Sequence, residues 1–249
     1  MRSVYRYAWF LMTSALCWGA LCAAAQAAAP ANNHDPLERV NRGMFWLNDQ
    51  IDGYILEPAA TGWDKVASDR VKTSTSNFFQ NLRFLIVAAN NLLQGKLVQS
   101  ASDVGRFAVN TTVGMLGLFD PASQWGLEQH NEDFGQTLGY WGVPPGPYLV
   151  LPFFGPSNPR DAVGLTVDSF SAPYAYFIAI EETVGGRTVD VINNRALVLR
   201  EVRQLRQASF DYYVAVRNAY NQRRTALIND RHDLSEQEQE NLYQMEDEQ

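Results

Sequence analysis

Apolar residues recur at helical spacing along most of the chain. Leu37, Val40, Met44 and Leu47 follow one another three or four apart, behind Asp35 and Pro36. This predicts a helix with Asp35 as its N-cap and Pro36 in its first turn. The pattern predicts a second helix over Ser68–Leu82 and a third over Phe84–Leu93, the latter apolar round much of its surface except at Asn90 and Asn91. Leu97, Ala101, Val104 and Ala108 carry the period onward until Gly114 and Gly117 interrupt it ahead of LFDPAS. HNEDFGQTLGYWG predicts one short helix punctuated by Gly135, Gly139 and Gly142, and Asn158-Pro159 starts a helix that runs towards Phe170. Two amphipathic helices, Thr188–Gln207 and Ser209–Ile228, close the body. The first sets arginines between Val191, Ala196, Leu199, Val202 and Leu205. The expected fold class is all-α, in one domain, because no internal repeat or Pro/Gly/Ser-rich linker divides the chain.

One stretch resists helical reading. GVPPGPYLVLPFFGPSNPRD, residues 142–161, crowds Leu149, Val150, Leu151, Phe153 and Phe154 between prolines and glycines. Each side chain gains about 1.5–3 kcal/mol on full burial, yet the run is too short to span a bilayer and too proline-rich for a central strand. An extended apolar loop of this kind either folds over an apolar cavity or enters a membrane interface as a backbone-paired hairpin. Paired amides such as Asn90-Asn91 on an apolar helix suit a cavity with a wet side and a greasy side. Gly139, Gly142 and Gly146 at the base of the excursion serve either as hinges or as ordinary helix-end and turn glycines.

Composition changes the picture at both ends. Arg2 and Arg6 precede an apolar run from Ala8 to Leu21, and small-residue cleavage patterns follow at Ala25-Gln26-Ala27 or Ala27-Ala28-Ala29. Residues 1–29 therefore read as a signal peptide, 30–229 as the helical domain and 230–249 as an acidic tail. Cys17 and Cys22 both fall inside the signal. Neither has the small residue before it, nor the leucine three places before it, that a lipoprotein signal needs. The tail holds eight acids against one base, which accounts for the whole net charge of −7 and leaves the body balanced. Such a tail is solvated, as an aid to solubility or as an interaction segment. A neutral body has no basic face for nucleic acid.

Catalytic patterns are sparse. His34, His130 and His232 are far apart in sequence with no helical metal-ligand spacing, and neither a nucleophile elbow nor a phosphate-binding glycine loop occurs. His130, Glu132 and Asp133 in HNEDFG form one acid–base cluster, which at a helix start more often caps free N–H groups. The expectation is no catalytic residue, no metal and no cofactor.

Six blocks in order, from about Asp35 to Arg224, resemble the MlaA (VacJ) family of outer-membrane phospholipid-transport lipoproteins. They are DPLERVNRGMFWLND, TSTSNFFQNL, NNLLQGK, GRFAVNTTVGMLGLFDPAS, HNEDFGQTLGYWGVPPGPYLVLPFFGPS and RDAVG. The resemblance implies a ring-like helical domain in the periplasmic leaflet of the outer membrane, with a central amphipathic channel and one hairpin-like apolar loop. It implies removal of misplaced outer-leaflet phospholipid, association with a trimeric porin and transfer to a soluble periplasmic carrier, without hydrolysis; the alternatives are an envelope phospholipase using His130 and Asp133 on the same lipid, and a structural protein that braces porins. Leu149, Val150, Leu151, Phe153, Phe154, Asn90 and Asn91 would then line or gate the lipid path. Members are lipoproteins, whereas the contexts of Cys17 and Cys22 predict retention at the membrane without an acyl chain.

Overall fold

A computed structural model describes residues 35–171 and 180–229. The signal peptide, its cysteines, His34, His232 and the acidic tail lie outside the described residues. Helix α1 (Glu38–Ile51) passes through a π-helical turn (Asp52–Leu56) into α2 (Glu57–Val66). The wide turn has a local cause: Pro58 has no N–H, and its ring would clash with the carbonyl four residues back in a regular helix. This second helix escaped the sequence pattern. Helix α1 also begins later than expected, with Leu37 rather than Asp35 at its N-cap. Asp35 still accepts from the Leu37 amide (3.0 Å), but its carboxylate is turned inward to Asn41 and Tyr213.

Helix α3 (Asp69–Leu93) is a single 25-residue rod, where two helices were expected. No glycine or proline interrupts Leu82-Arg83-Phe84, so the shift from polar to apolar composition marks a change of surroundings and not a break. Ser68 caps it, accepting from the Val71 amide at 3.4 Å. Helix α4 (Leu97–Thr112) returns antiparallel along α3 after a turn in which Gly95 takes φ 78°. The short helix α5 (Pro121–Gln124) is capped by Asp120, and α6 (Phe134–Tyr140) by Asp133.

The proline-flanked stretch is a two-stranded antiparallel hairpin. Strand β1 (Leu149–Leu151) pairs with β2 (Gly155–Ser157), setting Leu149 opposite Ser157 and Leu151 opposite Gly155. Helix α7 (Pro159–Ser171) starts at the expected Asn158-Pro159, and Asn158 Oδ1 accepts from the Asp161 amide. The expected pair of closing helices is three: α8 (Ile180–Leu197), α9 (Leu199–Ala208) and α10 (Tyr212–Ile228).

The distribution of side chains is inverted relative to a water-soluble domain. Among the described residues, more buried side chains are polar or charged than apolar, and the largest fully buried ones include Arg106, Gln136, Asn41, Asn91 and Asn193. The buried apolar clusters are small. One joins Ala60, Ala196 and Leu199 with Trp63, and the other Tyr148, Val150 and Tyr213 with Phe45 and Met44. Meanwhile Trp46, Tyr54, Ile55, Val66, Val98, Met115, Leu116, Phe153 and Phe154 are exposed. No helix among the described residues is long and apolar enough to cross a membrane.

Arginines hold the helices together. Arg195 grips Asp52 with two bonds (2.7 and 2.9 Å), Arg203 takes Glu57 (2.7 Å) and Arg206 takes Asp49 (2.6 Å). The arginines set between the apolar positions of the closing helices thus pin α8 and α9 to α1, α2 and the π-helical turn between them.

Candidate functional site

The hairpin is fixed along one edge by α1. Asn41 Nδ2 donates to the Tyr148 carbonyl (2.8 Å) and its Oδ1 accepts from the Val150 amide (3.0 Å). Asn48 repeats the pattern with the Leu151 carbonyl (2.8 Å) and the Phe153 amide (2.8 Å). Each side-chain amide serves a carbonyl and the N–H two residues on, as a neighbouring strand would. The spacings match: seven helical residues rise about 10.5 Å, and three strand residues about 10 Å. One edge of a two-stranded hairpin, otherwise marginal in water, is thereby satisfied without a third strand.

This arrangement divides the five apolar candidates. Val150 is buried against Tyr148 and Tyr213, Leu149 and Leu151 are half-buried, and Phe153 and Phe154 stand out at the tip, 77% and 67% exposed. Phe153 takes φ 68°, an unusual value for a bulky residue, and its amide is the one that Asn48 holds. Gly142 is a helix-end glycine: at φ 86° it donates to Gly139, while the Val143 amide reaches back to Leu138 (both 2.9 Å), closing α6 with a Schellman turn. Gly139 lies within α6, against Arg160 and Ile228, and Gly146 (φ 73°) abuts Pro159.

Beneath the hairpin, α6, α7 and α10 meet on a partly buried ion cluster. Arg224 donates to Asp133 (2.6 and 3.0 Å) and to Asp161 (2.8 Å), and Tyr220 donates to Asp161 (2.5 Å). Burial would raise both carboxyls, but the Arg224 guanidinium overrides it and leaves them below the usual value. Burial likewise opposes the charge on Arg224, and its two carboxylates hold it protonated. The helices also touch backbone to backbone. A Cβ on Gly164 would lie 2.2 Å from the Gly135 nitrogen, so neither position tolerates a side chain.

Asn90 and Asn91 are both buried in hydrogen-bonded networks. Asn90 accepts from Thr137 (2.9 Å) and donates to Asp168 (3.2 Å), whose other oxygen takes the Phe134 amide. Burial leads the causes that raise Asp168 above the usual carboxylate value. Asn91 donates to Asp103 (2.7 Å), which also faces His130 Nδ1 at 2.9 Å. The acid–base cluster expected in HNEDFG is therefore divided. His130 pairs with Asp103, Asp133 caps α6 and binds Arg224, and Glu132 meets Gln94 and Lys96. Among the described residues no hydroxyl is hydrogen-bonded to His130 and no His/Asp/Glu group could hold a metal ion.

Sequence reading missed the contribution of α10. Tyr213, Arg217, Tyr220 and Arg224 recur at intervals of four, three and four, and so share a helix face; that face turns inward. The signal was present as a polar–aromatic stripe at core spacing, and was passed over because arginine normally marks the solvated side.

Residues 33–227 match a family model described as MlaA lipoprotein. An uncharacterized protein of Rickettsia felis is 37% identical over 196 residues, covering 78% of each chain. The Intermembrane phospholipid transport system lipoprotein MlaA of Escherichia coli is 37% identical over 199 residues, again 78% of each, and that of Haemophilus influenzae is 33% identical over 209 residues, 80% of this chain and 81% of the relative. A solved structure, "Structural basis for maintenance of bacterial outer membrane lipid asymmetry", superposes with a TM-score of 0.70 at 35% identity, covering 78% of this chain and 99% of that one.

Proposed function

The chain belongs to the MlaA family, and on that premise we propose that it moves phospholipid out of the outer leaflet of the outer membrane, preserving the lipid asymmetry of that membrane. The observation that carries this reading is the inverted distribution of side chains: a polar, hydrogen-bonded interior, with many large apolar side chains set on the exterior. In water such a surface is an aggregation hazard. Among acyl chains it is the favourable arrangement, and the polar interior then becomes the wet route for a headgroup. The protein sits in the inner leaflet, facing the periplasm, and performs no hydrolysis. Its helices form a ring around an amphipathic channel, with the hairpin beside the lipid path. A trimeric porin holds it at the outer membrane, and a soluble periplasmic carrier receives the lipid.

The test uses cells that lack their own copy of this protein. Wild-type protein should return surface-exposed phospholipid, read by a surface-acting acyltransferase, to the level of the parent strain. Purified protein mixed with phospholipid vesicles should release no fatty acid. Fatty-acid release would establish the phospholipase reading, and unchanged surface phospholipid in complemented cells would overturn transport.

A further inference from the structure

Arg217 is 8% exposed, yet it has neither an ion pair nor a hydrogen bond among the described residues. Its one recorded contact is with the Tyr213 ring, 5.8 Å from guanidinium carbon to centroid. Every other deeply buried arginine described above has a carboxylate: Arg224 two, Arg106 Asp120 (2.8 Å), and Arg160 Asp161 (3.0 Å). Beside it the Tyr148 hydroxyl is also buried and without a partner. The two groups share one neighbourhood, since both flank the Tyr213 ring: the Tyr148 ring lies 6.0 Å from it, centroid to centroid, and the Arg217 guanidinium 5.8 Å. Asp35, which reaches the Tyr213 hydroxyl, is already committed to Asn41 and the Leu37 amide as well.

A largely buried guanidinium without a carboxylate, left to what solvent it still touches, and an unsatisfied buried hydroxyl are each costly. Placed together, they form a fork of donors that a tetrahedral oxyanion would satisfy at once. Guanidinium suits phosphate through paired, charge-assisted bonds, and a phenol adds one more donor. The position agrees: Tyr148 leads directly into β1, so the pair lies at the root of the hairpin, between α1 and α10. We propose that Arg217 and the Tyr148 hydroxyl form a binding site for a phosphate oxyanion at the base of the hairpin, its natural occupant being a phospholipid headgroup. This deepens the transport reading and rests on it for the identity of the occupant. Free inorganic phosphate shares the chemistry and is the other source to be distinguished.

Titration of the full chain in detergent with dihexanoyl phosphatidylglycerol, and separately with inorganic phosphate, tests the site. Arg217→Gln should weaken lipid binding at least tenfold, Tyr148→Phe about threefold, and Arg217→Lys less than Arg217→Gln. Because Arg217→Gln removes an unpaired buried charge, its melting temperature without ligand should stay level or rise. If inorganic phosphate alone binds in an Arg217-dependent way, the oxyanion site stands and its source is the free anion. Lipid binding that is unchanged in both Arg217→Gln and Tyr148→Phe overturns the site while leaving transport intact. The same holds if Arg217→Gln lowers the melting temperature and leaves lipid affinity untouched, which makes the arginine structural. Should Arg217→Gln fail to fold, Arg217→Lys and Tyr148→Phe decide on their own. Wild-type protein that binds neither probe overturns the site and the transport reading together.

Discussion

Two apolar turns leave the surface of this molecule, and they are built differently. Between α4 and α5, Met115, Leu116 and Gly117 take φ of 53°, 60° and 89° in succession, which pushes Met115 and Leu116 outward. Backbone bonds hold that turn from within: Leu116 to Thr111, Gly117 to Asn110 and Phe119 to Gly114. Gly117 also rests directly on the Asn81 side chain, where a Cβ would come within 2.5 Å. The hairpin tip carries its phenylalanines at similar exposure, but its hydrogen bonds to α1 come from the side chains of two asparagines, with Val150 packed behind them near Met44 and Phe45. A turn locked by its own backbone opens only when it unfolds. One whose edge rests on side chains can be loosened locally at either of them without unfolding. The first is suited to a fixed anchor in the leaflet, the second to a movable element.

The largest expected effect comes from removing the frame under the hairpin. Arg224→Ala leaves Asp133 without its cation and Asp161 with Arg160 as its remaining one, at a cost of about 3–5 kcal/mol. Thermal unfolding in detergent should show it, and amide exchange should rise in β1 and β2 while residues 113–119 stay protected. The pH dependence has a definite sign. Both carboxyls are depressed in the folded state, so their stabilisation is complete above the ordinary carboxylate range and is lost as pH falls below about 4. Wild-type protein should lose stability in that window, and Arg224→Ala should lose less.

The converse experiment acts on the other turn. Gly117→Ala asks a residue with a Cβ to adopt φ 89° and to displace Asn81, costing roughly 2–4 kcal/mol. Exchange should now rise at residues 113–119 and spare the hairpin. If both regions loosen together in either variant, they are one cooperative unit and the contrast between them fails.

Much of this contrast was legible in the sequence, and its limits have physical causes. The helices, the hairpin-like excursion and the start of α7 follow from periodicity and proline placement. The reading failed where composition misled it: α3 divided at Leu82 because its surroundings change there, and α2 went unseen because Gly53 and Pro58 look like breakers while a π-helical turn absorbs them. At the site, the apolar tip residues Phe153 and Phe154 could be picked from their flanks. The polar machinery could not. Asn41, Asn48 and Arg224 matter through partners about 60 to 110 residues away, and in a protein whose inside is polar the usual rule for which face is buried points the wrong way.

Smaller in energy, and more direct, is Asn48→Ala. It removes one donor and one acceptor from the Leu151–Phe153 segment, near solvent, for about 1–2 kcal/mol. The Phe153 amide should exchange faster than in wild type, while the Val150 amide, still held by Asn41, should not. Equal acceleration at both would show that the two asparagines act as one clasp.

The least effect on stability, and the sharpest test of what the tip is for, is Phe153→Ser with Phe154→Ser. Both rings are mostly in solvent, so they contribute little to the folded state, and the melting temperature in detergent should move by no more than the change of about 0.5 kcal/mol typical of surface sites. Their apolar area counts only where there are acyl chains to receive it. The double variant should therefore fold and remain with the membrane, since the Val113–Phe119 turn and Trp46, Tyr54 and Ile55 still offer apolar surface. It should nonetheless fail to lower surface-exposed phospholipid in cells. The matched variant Met115→Ser with Leu116→Ser should do the opposite, weakening membrane retention while leaving clearance per retained molecule unchanged. Loss of retention in the first variant, or loss of clearance per molecule in the second, would reverse the roles of anchor and movable element.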